Sequence, residues 1–448
     1  MSEIMNLTAL ELSAAIKEKK YSVPEVIGAY IDTIEKTDSQ LNAFITVAKE
    51  RALSRALEIQ TRINKGETLS PLAGVPIALK DNITTLGIET TCGSKMLKGY
   101  TPVFNATAAE KLEQAGMIIV GKLNMDEFAM GGDSDKSAIA VAAGLVPLSL
   151  GSDTGGGIRQ PCALSGVTGI KPTYGVVSRH GLIANASSLD QIGPIGKNID
   201  DCAALLSIIS GTDKANVKTF VDGTCVLEKP FNFEQSSRRL NGIKIGIADI
   251  HIDDDVRLAC LAAAKEFEAA GAVTEEFEMP LMDYMLPVYC IIACAEASSN
   301  LARFDGLKFG YRSADVKSLS EVYRLSRSEG FGAEVKKRIM FGSFVLSAER
   351  YETYFKKAMQ VRSLVKGTYN KLFGRFDMIL SPVAPITSPL DVSVNLAGLP
   401  AAALPCGSDA QGLPIGFQLI GSAFSEEKLV TAARVFQSRT EHHRGVTS

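Results

Sequence analysis

Short apolar runs separated by helix-length amphipathic stretches recur along this chain, and no other feature narrows its fold as much. A strand that is apolar on successive residues must bury both of its faces, which only a sheet covered on both sides allows. Such runs fall at 75–79, 117–121 (MIIVG) and 146–150. They return at 243–248 (IKIGIA), 273–277, 377–381, 401–405 and 413–420. Between them the period turns helical. Leu10, Leu12 and Ile16 within 7–17, and Val26, Ile27, Tyr30, Ile31 and Ile34 within 24–37, keep close to helical spacing. Further helices are expected over 42–65, 106–115, 256–270 and 426–439, with a long helical region over about 281–367. The pattern predicts an α/β protein with a mixed β-sheet core covered by helices on both faces. No internal repeat or low-complexity linker divides the chain. Residues 1–448 therefore read as a single domain, with N-terminal helices within 7–65 and a helical excursion at about 281–367.

Composition excludes several classes. Hydrophobic residues make up 46% and charged residues 22%, an ordinary globular balance that rules out a disordered, collagen-like or coiled-coil chain. Lys and Arg number 47 against 50 Asp and Glu, a formal charge of -3. That balance offers no chain-wide grip on nucleic acid, although a local basic patch stays open. The eight cysteines are scattered without a C-x-x-C pair; only Cys290 and Cys294 lie about one helical turn apart. They read as buried free thiols in a reducing compartment. The four histidines form no metal-binding pattern, so no metal site is expected. The N-terminal stretch mixes acidic and basic residues without an apolar core, and no run approaches the roughly 18 apolar residues of a membrane span. A soluble, cytoplasmic protein is the expectation.

Two places could carry chemistry. The stretch 151–161 (GSDTGGGIRQP) follows a strand, and its consecutive Gly155, Gly156 and Gly157 let the backbone turn tightly and offer N–H groups to an anion. A plain strand-to-helix turn explains it equally well, and the spacing fits neither G-x-G-x-x-G nor the P-loop. Lys80 ends the apolar strand of 74–83 (GVPIALKDNI). Burial there would favour a neutral, basic amine, whereas pairing with Asp81 would keep it charged.

The stretches 74–83, 124–130 (NMDEFAM), 151–161, 169–175 (GIKPTYG) and 187–194 (SSLDQIGP), in this order, resemble the amidase signature family. The likeness continues through 326–332 (SRSEGFG), 395–400 (NLAGLP) and 412–418 (GLPIGFQ). It is strongest to the branch that holds the A subunits of tRNA-dependent amidotransferases. The resemblance implies a lysine base, a relay serine with a cis peptide and a second serine as acyl-forming nucleophile. It places the base at Lys80 and an oxyanion hole at the N–H groups of Thr154, Gly155 and Gly156. Arg338 would hold the glutamine carboxylate through a bidentate fork, or is simply a solvated helix charge. Asp391 is the nearest acid for the α-amino group. The same likeness implies B and C partner subunits, glutamine as ammonia donor, and tRNA met mainly through the partner. ATP and Mg²⁺ would sit on the B subunit, with no cofactor in this chain and no membrane.

The chain departs from its family where the chemistry should be. The family's D-x-G-G-S turn reads Asp153-Thr-Gly-Gly-Gly157, so Gly157 stands at the nucleophile position. Counting back without a gap puts Asp133 at the relay serine. Alternatively 130–138 matches the family's earlier M-G-x-S-T-E-N-S-A stretch, and the whole serine loop is missing between Ala138 and Val141. Ser134 and Ser137 are then stand-ins or plain loop hydroxyls. A further tract is short before Asn395, and another after 250–253. These losses reflect decay of an unused site or segments left out of the written sequence; Gly157, with intact flanks, is a true replacement. Losing the nucleophile of a serine hydrolase costs on the order of 10⁶ in turnover. The expectation is an amidotransferase A subunit with its own catalysis in doubt, against a silent scaffold subunit or a stand-alone small-amide amidase.

Overall fold

The computed structural model describes residues 3–131, 135–211, 231, 233, 240–249, 253–383 and 388–444. Within them one sheet of 11 strands runs through the molecule. In chain order these are β1 (Phe44–Val47), β2 (Pro76–Lys80), β3 (Ile118–Leu123), β4 (Leu148–Asp153), β5 (Thr168–Lys171) and β6 (Gln191–Gly196). There follow β7 (Lys244–Asp249), β8 (Val273–Glu278), β9 (Met378–Pro382), β10 (Ala401–Ser408) and β11 (Pro414–Gly421). Across the sheet the order is β1-β3-β2-β4-β6-β5-β10-β11-β9-β7-β8. The neighbours β2/β3, β2/β4, β7/β8 and β7/β9 are parallel and the remaining pairs antiparallel, so the sheet is mixed as predicted.

Both faces are covered, and single strands show why. In β9, Met378 and Leu380 enter one apolar cluster while Ile379 enters another on the opposite face. Leu419 and Ile420 of β11 divide in the same way. Successive side chains of a strand point to opposite faces, so a strand apolar throughout needs a helix layer on each side. Helices Ile199–Ile209, Asp254–Ala269 and Glu426–Arg439 supply Leu206, Phe267 and Phe436 to the first cluster. Met282–Asn300, Phe355–Leu372 and Pro389–Ala397 supply Ile292, Tyr369 and Leu396 to the second.

Several elements differ from the sequence reading. The helix expected over 42–65 is broken into β1 and a helix Lys49–Asn64. Asn42 adopts φ 50° as the cap of helix Val23–Leu41, and the Asp38 carboxylate accepts the N–H groups of Ala43 (2.7 Å) and Phe44 (3.1 Å). These bonds redirect the chain onto β3. Strands β5 and β6 were not anticipated; TGIK and QIGPIG carry glycine and proline and show no strand period. The helical excursion holds four helices, Met282–Asn300, Leu319–Gly330, Ala333–Val345 and Phe355–Leu372. By length and composition alone Met282–Arg303 is apolar enough to cross a membrane, which the sequence reading did not single out. Its Met285, Val288 and Ile292 lie in the second cluster. Of the described cysteines six are buried, but Cys290 is exposed, contrary to expectation.

Candidate active site

Lys80 ends β2 and Asp153 ends β4, two parallel neighbours with Leu79 opposite Leu150. Their carboxyl ends therefore open side by side, the place where α/β sheets hold ligands. Past Asp153 the chain turns through the glycines into helix Arg159–Leu164.

Behind the turn lies a closed polar frame. Asp153 Oδ1 accepts from Gly156 N–H (2.9 Å), Arg159 Nη2 (3.1 Å) and Asn395 Nδ2 (3.0 Å). Its Oδ2 accepts from Ile158 N–H (3.2 Å) and Arg159 Nε (3.0 Å). The guanidinium of Arg159, wholly buried, also donates to Gln418 Oε1 (2.8 Å), Asn395 Oδ1 (2.6 Å) and the Asp391 carbonyl (2.9 Å). Burial alone would raise the Asp153 pKa, but the Arg159 charge and its hydrogen bonds outweigh it and hold the carboxyl well below the ordinary range. At nearby Lys171 the opposing charges of Asp153 and Glu426 are outweighed. Burial, then the like charge of Arg159, push it down to about 7. Sequence reasoning missed Arg159, although its place shortly after the glycines was a signal.

In front of the turn the geometry is that of a nucleophile site without a nucleophile. A Cβ built on Gly157 would lie 3.6 Å from Lys80 Nζ and 3.8 Å from Asp135 Oδ2. A side chain at 157 would thus face the lysine, as the resemblance implies. That Cβ would also come within 2.7 Å of the Ser152 carbonyl oxygen, closer than real Cβ atoms approach, so the turn has closed over a residue with no side chain. Lys80, 3% exposed, forms an ion pair with Asp135 and donates to the Ser152 carbonyl (3.2 Å). The pairing with Asp81 weighed from sequence does not occur. Asp81 instead accepts from Thr91 N–H (2.8 Å) and Thr91 Oγ1 (2.5 Å) and lies 3.6 Å from Lys122. Adjacent residues at a strand end point to opposite faces, which separates Lys80 from Asp81. Asp135, missed from sequence, comes from 55 residues away.

The other predicted site residues are distributed unevenly. Gly156 cannot lend its N–H to an oxyanion, because that N–H is already bonded to Asp153. The Thr154 hydroxyl donates to Asp190 Oδ1 (2.6 Å), and Asp190 is pushed up to about 6 by burial, against the opposing effect of that bond. Gly155 packs under Tyr289, whose hydroxyl a Cβ at 155 would meet at 2.6 Å. Tyr289 also feels the positive charge of Arg338. Arg338 is thus brought near the turn while donating to Glu334 (2.9 Å) on its own helix. Asp391 is withdrawn from any substrate. It is wholly buried, with Oδ1 accepting from Gln418 Nε2 (3.0 Å) and Oδ2 from Gln160 Nε2 (3.1 Å) and Ser388 Oγ (2.8 Å), and it caps helix Pro389–Ala397. Its assignment to the α-amino group is corrected accordingly. Asp133 and Ser134 lie outside the described residues. Ser137 is fully buried and its hydroxyl has no hydrogen-bond partner among the described residues, so it relays no proton to Lys80. Among the described residues no three His, Cys, Asp or Glu side chains are grouped to hold a metal ion.

A family model described as Amidase matches residues 25–139, 131–393 and 387–430, and the chain belongs to the amidase family. More narrowly, it is 46% identical to the A subunit of glutamyl-tRNA(Gln) amidotransferase from Agathobacter rectalis, across 99% of this chain and 95% of that one. Among solved structures it is similar to the Thermotoga maritima protein of the same name (36% identity, TM-score 0.75, 98% of this chain and 96% of that one). The peptide amidase of Stenotrophomonas maltophilia is also similar (25% identity, TM-score 0.84, 97% and 96%). The family match is broken where the chain is short. Its matched stretches overlap at residues 131–139 and 387–393. The Agathobacter alignment runs over 486 positions against the 448 residues of this chain. That relative therefore carries internal residues that this chain lacks.

Proposed function

We propose that this chain is the A subunit of a glutamyl-tRNA(Gln) amidotransferase that has kept its fold and its place in the assembly and lost its own glutamine hydrolysis. Full-length likeness to proteins of that name supports this membership. The observation that carries the loss is Gly157, the position aimed at Lys80 and without a hydroxyl to attack an amide. Acyl transfer needs a nucleophile and a base to take its proton. Here the base is held instead by the Asp135 carboxylate. In this reading B and C subunits are the partners, ATP and Mg²⁺ belong to the B subunit, tRNA is met mainly through it, and the complex is cytoplasmic. Ammonia would reach the B subunit from another source.

The test combines assembly and turnover. The chain should co-purify with B and C subunits, and the complex should release ammonia from glutamine at the background rate. Normal turnover overturns the silent reading; failure to assemble with the B subunit overturns membership of the complex.

A further inference from the structure

Two of the buried cysteines meet where the sheet breaks its register. In β10, Pro405 lies opposite Gly416 and Gly407 opposite Ile415, so Cys406 is an extra residue with no partner in β11. A bulge of this kind re-aims a side chain. Cys406 enters the apolar cluster to which helix Asp254–Ala269 gives Cys260, Ala263, Ala264 and Phe267. That helix lies against the strand, for a Cβ built on Gly407 would meet the Ala259 Cβ at 3.7 Å. One residue along each element, the thiols of Cys260 and Cys406 share a hydrogen bond. Both are free thiols. Neither lies far from the end of its element. Strand β10 ends at the exposed Ser408, and Cys260 follows the opening turns of its helix, where Asp254, Asp255, Arg257 and Leu258 are exposed. Helix ends open locally at little cost, so a small solute reaches this pair without unfolding of the core.

We infer that Cys260 and Cys406 form a reversible oxidation site, which closes to an intramolecular disulfide when a small disulfide such as oxidised glutathione is present. The Cys260 sulfur, as thiolate, attacks one sulfur of the oxidant and expels one glutathione thiolate, which takes up the proton that Cys260 gave. Cys406 then displaces the second glutathione from the mixed disulfide, and its proton leaves with that thiol. Two protein thiols are oxidised, and one small disulfide is reduced to two thiols. The shared hydrogen bond, and burial after it, hold the Cys406 thiol well above its ordinary range, so it stays protonated until Cys260 has reacted. The new bond ties the helix to β10 and closes the loop from 260 to 406, which restricts the unfolded chain. The inference does not depend on the function proposed above.

Incubating the folded full chain with oxidised glutathione, then reading its intact mass and its tryptic peptides, tests this. The expected result is a loss of about 2 Da, one hydrogen from each thiol, and a single linked pair, the peptide with Cys260 joined to the peptide with Cys406. Dithiothreitol should reverse both. The oxidised chain should also unfold at a higher urea midpoint than the reduced one. Cys260→Ala and Cys406→Ala should each abolish the linkage and the shift in midpoint, and Cys406→Ala should trap the glutathione adduct on Cys260. Cys290→Ser, at an exposed cysteine, should leave linkage and shift as they are. Two thiols still open to alkylation after the incubation, glutathione adducts without a linked pair in the unaltered chain, or a linkage from either residue to any other cysteine overturns the inference.

Discussion

Behind the turn that follows β4, Asp153, Arg159, Asn395, Gln418 and Asp391 close a network in which every charge has a partner. In front of it, the position of the turn that faces Lys80 is a glycine. The same stretch of chain makes both, yet only one side is complete. Removing one partner from a buried ion pair leaves an uncompensated charge and costs about 3–5 kcal/mol, so the frame is held by folding itself. A hydroxyl at 157 would serve only the reaction. The contrast teaches that folding alone can hold a buried frame in place, whatever the turn in front of it does.

The comparison breaks most directly at Arg159. Arg159→Met should lower the unfolding free energy by about 3–5 kcal/mol in urea titration; a loss below about 1 kcal/mol would mean the frame does not hold the fold. Gly157→Ser comes next. Its Cβ must displace the Ser152 carbonyl, and overpacking of this kind costs about 1–3 kcal/mol. Glutamine hydrolysis should stay within about tenfold of background, because among the described residues no relay hydroxyl reaches Lys80; full recovery would show that a serine at 157 is all the site needs.

A third effect is a dependence on pH. Lys171 titrates at about 7 when folded but near 10.4 when unfolded. Between those values the unfolded chain binds the extra proton, so stability rises with pH, by up to about 1.4 kcal/mol per pH unit. The cost of burying this lysine is fully present below pH 7 and relieved above it. Lys122, pushed down to about 8 mainly by burial, adds a similar rise from pH 8. Lys171→Met should remove the portion that begins near pH 7, as read by urea midpoints from pH 6 to 10. A parallel profile in the variant would count against the buried-lysine account. The smallest effect is expected at Arg338, whose side chain is 24% exposed and paired with a half-exposed Glu334. Arg338→Ala should change stability by less than about 0.5 kcal/mol; a loss above about 2 kcal/mol would place Arg338 in the frame.

Much of this was readable without coordinates. Apolar runs at 75–79 and 117–121 became β2 and β3 because such runs have no stable place except inside a covered sheet. Gly157 was visible as the lesion because its flanking residues match the family turn. Strand β6 was hidden because QIGPIG has neither period nor β-branched density, and its pairing with β4 and β5 decides it. Asp391 was named only as the nearest acid in the chain, and place in sequence says nothing of which way a side chain faces; its carboxylate turns inward to Gln418, Gln160 and Ser388.

The sequence by itself determined the layered α/β core, the place of the glycine turn after β4 and the glycine at 157, since burial periodicity and motif order are local properties of the chain. Only the tertiary structure decided which charges meet. Asp153 finds Asn395 across 242 residues, Arg159 finds Gln418 across 259, and Lys80 finds Asp135 in place of its neighbour Asp81. The physical reason is that charges buried in a low-dielectric interior must be paired, and the partner is whichever group the sheet brings within reach, however far away it lies in sequence.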